Sequence, residues 1–323
     1  MRVILKIHGL LFFLIFSSLC WYGFSGVVNV ALAFDIDKDA VLWNHLSYRA
    51  KSIFGKVKTD VHLKTVPIEA AADVLINHPA VESLRPSGDA IYSLTVDSSI
   101  DPLFGTEEIL NTQSLFDPDD IGAFQRVRLR QGKDKWRKSY LFTKTGVFRL
   151  RRKPKDASEE NLPVDRWTKI RHHFYSYGDK AQSCSRILEP ACLLYVVSAL
   201  NLASAPEHLT LCVFNKKQLH MVKVMVHGAQ SMKVDYLKTE GKHQIRVDQK
   251  IDTVKISFQP RNLAPEDQEP EAFSFLGLKG DFDIFVDKDT RLPVQISGKI
   301  STYGKIDIKL AEVSYSVTNG NQN

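Results

Sequence analysis

The densest chemistry-bearing run in the chain is cationic. Between Arg126 and Lys155, thirteen lysines and arginines are opposed by Asp134 alone. Arg126, Arg128 and Arg130 alternate with Val127 and Leu129, and Arg149 and Arg151 alternate with Phe148 and Leu150. Each set therefore shares one face of a strand. A hairpin of these strands would present a cationic outer face, which attracts anionic headgroups at about 1 kcal/mol per cation near an anionic membrane. The same residues also read as a solvated sheet face, partly neutralised by Asp117, Asp119, Asp120, Glu159 and Glu160. Trp136 and Tyr140 lie among the cations, a pattern also met in nucleic-acid binders. For an exported chain no nucleic-acid partner is expected.

Other reactive groups point to no catalysis. His172 and His173 are adjacent, so on a strand they project to opposite sides and do not share a metal; a polar loop is expected there. Asp281, Asp283, Asp287 and Asp289 lack the glycine and closing glutamate of a calcium loop, and Asp287 to Thr290 read as a turn between strands. The chain has no G-x-S-x-G elbow, no G-x-G-x-x-G and no phosphate loop. No enzyme, metal or cofactor is expected.

Compartment follows from the first thirty-three residues. Arg2 and Lys6 are the only charges before Asp35, and an apolar run from Leu10 to Phe16 leads to Ala31-Leu32-Ala33. A basic start, a short apolar centre and an A-x-A exit describe a secretory signal peptide over residues 1–33. The uncharged stretch from Leu10 to Val30 reads alternatively as an uncleaved anchor. Both send residues 34–323 out of the cytoplasm as one β-rich domain, with a periplasmic address expected. Leu19 is too large for the small residue that lipid modification of Cys20 would need. In an oxidising compartment Cys184 and Cys192 could form a bridge; alternatively Cys184, Cys192 and Cys212 are three buried thiols.

Across its 323 residues the chain is 44% hydrophobic, 10% aromatic and 25% charged, with a net charge of +6. That is the composition of a packed globule, and it excludes collagen-like, disordered and many-span membrane chains. Apolar residues fall at every second position over Gly55 to Leu63, Ile91 to Val96, Phe124 to Arg130, Ser139 to Phe142 and Val147 to Arg151. The pattern resumes over Leu209 to Phe214, Met221 to Val226, Met232 to Leu237, Ile245 to Val247 and Val254 to Phe258, and again over Asp281 to Val286, Pro293 to Ile300 and Lys305 to Val313. Period two means strands with one dry face. Pro67 to Asn77 reads as a short helix within an insert near 67–78, and Pro190 to Ala203 as a second helix with Leu193, Val197 and Leu200 on one stripe. Two helices cannot cover so many strands, so the sheet is expected to curl on itself. The expected fold is mainly β: a large curved antiparallel sheet, an open or half barrel, with a few helices on its concave side.

The run Gly280 to Val294, followed by Tyr303-Gly304-Lys305-Ile306 and Leu310, resembles the ending of an exported bacterial family known as domain of unknown function 3108. Leu193-Leu194-Tyr195, Val224 to Gly228, Leu46-Ser47-Tyr48 and Phe54 to Val57 are similar to its middle and opening. The helix at Pro67, the segment Asp97 to Asp120 and Glu189-Pro190-Ala191-Cys192 depart from it. That family is similar in architecture to the Lol-type lipoprotein carrier and receptor proteins, and the likeness implies handling of a lipid or lipoprotein. The dry face is expected to draw on Tyr48, Val57, Val127, Leu129, Phe142, Phe148, Leu193 and Val197, sheltering an acyl chain at roughly 0.8 kcal/mol per methylene. An envelope structural or assembly factor, its cavity filled by its own helices, is the alternative. Nothing in the sequence fixes an oligomeric state.

Overall fold

Among the described residues, sixteen strands arise in order along the chain, and all of them join one sheet. The computed structural model describes residues 36–52, 55–102, 107–132, 134–201, 208–263, 269–300 and 304–315, so the leader and Cys20 lie outside the described residues. The first meander is β1 (Trp43–Ser52), β2 (Gly55–Pro67), β3 (Ala90–Pro102), β4 (Glu108–Phe116), β5 (Ala123–Gln131), β6 (Trp136–Phe142), β7 (Gly146–Lys153) and β8 (Lys169–Ser176), with α1 (Ile68–Val74) after β2. Then come β9 (Ile187–Leu188), α2 (Cys192–Ala199), β10 (His208–Asn215), β11 (Gln218–Glu240), β12 (His243–Asn262), β13 (Ser274–Phe275), β14 (Leu278–Asp287), β15 (Pro293–Ile300) and β16 (Gly304–Tyr315). Hydrogen bonding runs from β8 back to β1, crosses to β16, and continues through β15, β14, β12, β11 and β10 to β9.

The sheet is mainly β and strongly curved, as the alternation implies. Strands near its two ends meet side chain to side chain: Tyr175 of β8 lies 5.9 Å from Phe214 of β10, ring to ring, and Tyr140 and Phe142 of β6 lie 6.4 and 6.1 Å from it. A disulfide joins Cys184, after β8, to Cys212 of β10. The bridge is therefore not Cys184 to Cys192; Cys192 is a buried free thiol on α2. Two pairings are parallel, β9 with β10 and the far end of β11 with β16, where Leu237, Lys238 and Thr239 oppose Glu312, Val313 and Ser314.

The concave side is occupied by α2, whose eight residues are all buried. A helix apolar all round belongs in a core. Its hydroxyls are satisfied inside: Tyr195 donates to Pro118 O at 2.9 Å, and Ser198 Oγ accepts from the Trp43 indole at 2.9 Å. The shorter α1 sits on the opposite face. Ala71 packs with Ile91, Leu115 and Phe124, whereas the next residue along β4, Phe116, points inward and meets Tyr195 at 5.2 Å.

Three elements differ from the sequence reading. His172 and His173 lie on β8, an exposed edge strand rather than a loop. The segment Asp97 to Asp120 contains β4. The separate runs Met221 to Val226 and Met232 to Leu237 belong to the single strand β11, with a bulge at Gly228 between Val226 and Ala229. The turn read at Asp287 is present: its Oδ1 accepts from the backbone of Asp289 and Thr290 at 2.8 and 2.9 Å, which ties β14 to β15.

Candidate functional site

Strands β2 to β6 form the wall of a cavity of about 320 Å³ that α2 leaves unfilled. That volume lies at the lower end of the range of about 300–1,000 Å³ typical of ligand pockets. Val57, Val96, Ile100 and Leu110 make one apolar side, and Phe275 and Leu276 close it from the turn joining β13 to β14. Leu276 and Gly277 both have positive φ, 47° and 87°, the tight hairpin geometry that lays this turn over the opening.

The other side is cationic. Arg126, Arg128 and Arg130 line the cavity together with Trp136, and Lys216 and Lys279 approach from the opposing wall. This reverses the expected facing. The guanidiniums of β5 point inward, so Val127 and Leu129 stand on the convex face, both half-buried. Register carries the cationic face onward: Arg128 pairs across with Lys138, Lys138 with Arg151, and Tyr140 with Arg149. Directly opposed residues share a face, so Arg149 and Arg151 are also concave.

The other expected ligand contacts are dispersed. Val57 does line the cavity. Tyr48 is fully buried and donates to Pro293 O at 2.7 Å. Phe142 packs in the cluster around Phe214. Phe148 lies on the convex face against His78 at 4.8 Å and His172 at 5.6 Å. Leu193 and Val197 are core residues of α2. The sequence reading missed Val96, Ile100, Leu110, Phe275, Leu276 and Lys279. The pairing of Arg126 with Tyr140 held a signal: Trp136, Tyr140 and Phe142 share a parity, and all three are buried.

One carboxylate organises the cationic wall. Arg126 is 2% exposed, and its Nη1 lies 3.3 Å from Glu189 Oε1 and donates to Phe214 O at 3.3 Å. Glu189 Oε2 accepts from Ser114 Oγ at 2.8 Å and from the Ala191 amide at 2.7 Å, so it also fixes the turn that leads into α2. The Arg126 guanidinium lies 4.2 Å over the Tyr140 ring. Arg130 pairs with Glu108 at 2.5 Å. Lys138 stands 4.0 Å over the Trp136 ring, and burial together with Arg128, Arg151, Arg149 and Arg126 pushes its amine down to about 7.

This depression sets a sign. In the unfolded chain the Lys138 amine titrates near 10.5, so between the two values the unfolded state holds more protons and stability rises with pH. The repulsion is fully felt below about pH 7. Lys138→Met should exceed the wild type in urea-unfolding stability by most near about pH 6, and the gap should close toward about pH 10. A gap that does not vary with pH would contradict the charge assignment.

Elsewhere, Ser257 contacts both His227 Nε2 at 2.8 Å and Asp283 Oδ1 at 2.5 Å. The serine sits between its partners and donates to the aspartate, whereas nucleophile activation places the histidine in the middle. Among the described residues no cluster of His, Cys, Asp or Glu forms a metal site, and no helix is long and apolar enough to cross a membrane.

No protein-family model matches the chain, and no curated protein matches it. Among solved structures, the chain is similar to a β-barrel-like protein of domain of unknown function DUF1849 from Brucella abortus, at 8% identity and a TM-score of 0.46, over 86% of this chain and 99% of that one.

Proposed function

We propose that the protein is an exported, non-catalytic binding protein that shelters the acyl chain of a lipid or lipoprotein in the cavity beside α2. One observation carries the reading: the apolar side formed by Val57, Val96, Ile100, Leu110, Phe275 and Leu276 encloses space that neither the sheet nor α2 fills. Burying a chain there gains roughly 0.8 kcal/mol per methylene. The Cys184–Cys212 disulfide supports a periplasmic address, since such bonds persist in oxidising compartments. The resemblance of short motifs to domain of unknown function 3108, a family similar in architecture to the Lol-type proteins, is in keeping with this reading.

The test is to purify the mature protein from the periplasm, identify solvent-extracted lipids by mass spectrometry, and titrate a fluorescent fatty acid. Ile100→Trp, which fills the apolar side, should abolish uptake while leaving the unfolding midpoint near that of the wild type. A protein that is recovered empty and takes up no fatty acid is not a carrier.

The envelope-assembly reading is favoured by one feature, the complete burial of α2 on the concave side. Under it, Ile100→Trp changes neither uptake nor partner recovery.

A further inference from the structure

We propose that the concave cationic wall is a phosphate site, and that the ligand is an amphiphile whose phosphorylated head sits against Arg128, Lys138, Arg151 and Lys279. The inference rests on the carrier reading for the chain, and on charge geometry for the head.

Cations converge here from two walls. Arg128, Lys138 and Arg151 stand in one cross-strand row. Lys279, on the opposing wall, feels Arg128 and Lys216, and burial with these neighbours pulls its amine below the usual lysine range. The nearby carboxylates are already engaged: Glu189 by Arg126, Glu108 by Arg130, Asp134 by Lys153, and Glu271 by Lys217 and Lys216. Among the described residues, Arg128, Lys138, Arg151 and Lys279 have no carboxylate partner. Donors are left over as well. Buried Nε and Nη2 of Arg126, and Nε of Arg149 and Arg151, have no hydrogen-bond acceptor.

A folded protein seldom leaves such groups unanswered unless the site serves a function. Like charges gathered in a half-buried row repel one another, and a dianion relieves this where a single carboxylate leaves most of it. A phosphate monoester carries nearly two negative charges at neutral pH and three strong acceptor oxygens, which suits forked guanidinium donors. Arg128 and Lys279 also line the apolar cavity, and Lys138 and Arg151 continue the cross-strand row from Arg128, so a phosphate held by this row sits next to space that its chain could occupy.

The experiment compares heads on one chain. Dodecyl phosphate, dodecanoate and dodecanol each displace neutral N-phenyl-1-naphthylamine from delipidated protein at neutral pH and physiological salt. Dodecyl phosphate should bind about tenfold or more tightly than dodecanol, with dodecanoate between them. Arg128→Gln/Lys138→Met/Arg151→Gln should remove the preference, read as the ratio of dodecyl phosphate to dodecanol affinity within the same variant. Lys279→Met, from the other wall, should reduce the preference on its own if the triple variant folds poorly. Inorganic phosphate that competes with dodecyl phosphate but not with dodecanol supports the anion site and identifies a soluble source. Equal affinity for all three heads, or a preference for dodecanoate, overturns the phosphate assignment while the carrier reading stands. Binding of none of them removes both.

Discussion

Glu189→Gln is expected to destabilise the protein by about 3–5 kcal/mol, because it strands a buried charge. Glutamine keeps the shape of the side chain but leaves the Arg126 guanidinium, 2% exposed, without a counter-charge. It also weakens the acceptor that holds Ser114 Oγ and the Ala191 amide. The double variant Glu189→Gln/Arg126→Met should recover much of the loss, since replacing both members of a buried pair removes the desolvation problem together with the attraction. Guanidinium-chloride midpoints of the wild type, the single variant and the double variant decide the matter. A single-variant loss below about 1 kcal/mol would mean that the pair behaves like one in water.

Phe282→Ala should cost a similar amount, about 3–5 kcal/mol, and should impair the cavity as well. Phe282 is nearly buried and stacks on Phe258 at 4.6 Å with the rings almost parallel, on Phe275 at 4.5 Å, and faces Phe273 at 6.2 Å. Phe275 and Leu276 line the cavity from the turn that closes it. Truncation therefore removes the support under that turn along with the buried ring area. Uptake of an apolar probe should fall in the alanine variant and largely return with Phe282→Leu. Wild-type uptake by Phe282→Ala would show that the turn does not depend on the stack.

Most strands could be read from alternation because one face of each is dry. Where that condition fails, the reading fails. The edge strand β8, Lys-Ile-Arg-His-His-Phe-Tyr-Ser, is exposed along nearly all its length, so its side chains record no inside. In β4 the sequence Glu-Ile-Leu-Asn-Thr-Gln-Ser-Leu-Phe places polar groups on the concave side, and they hide the period. At β11 a glycine serves a bulge, which local sequence does not distinguish from a turn.

The candidate site was half legible. That Arg126, Arg128 and Arg130 share a face follows from parity; which face it is does not. Their inward facing depends on Glu189, which lies 63 residues further along the chain and reaches Arg126 only after the sheet has curled. Nothing local to β5 encodes that partner. The half-buried Val127 and Leu129 made the opposite choice plausible, since aliphatic residues are the ordinary occupants of a core.

The place of the last strand has a consequence for how the molecule is made. β16 lies beside β1, with Leu46 opposite Val313 and Tyr48 opposite Leu310, and its end also receives the tip of β11. First and last segments thus become neighbours in the middle of the sheet, which gives a high contact order and slow folding. A chain made from its amino end holds the β1 edge bare until residues 304–315 emerge. Such an edge recruits foreign strands, so truncation before Gly304 should send the product to aggregates or proteases instead of yielding a slightly shortened barrel.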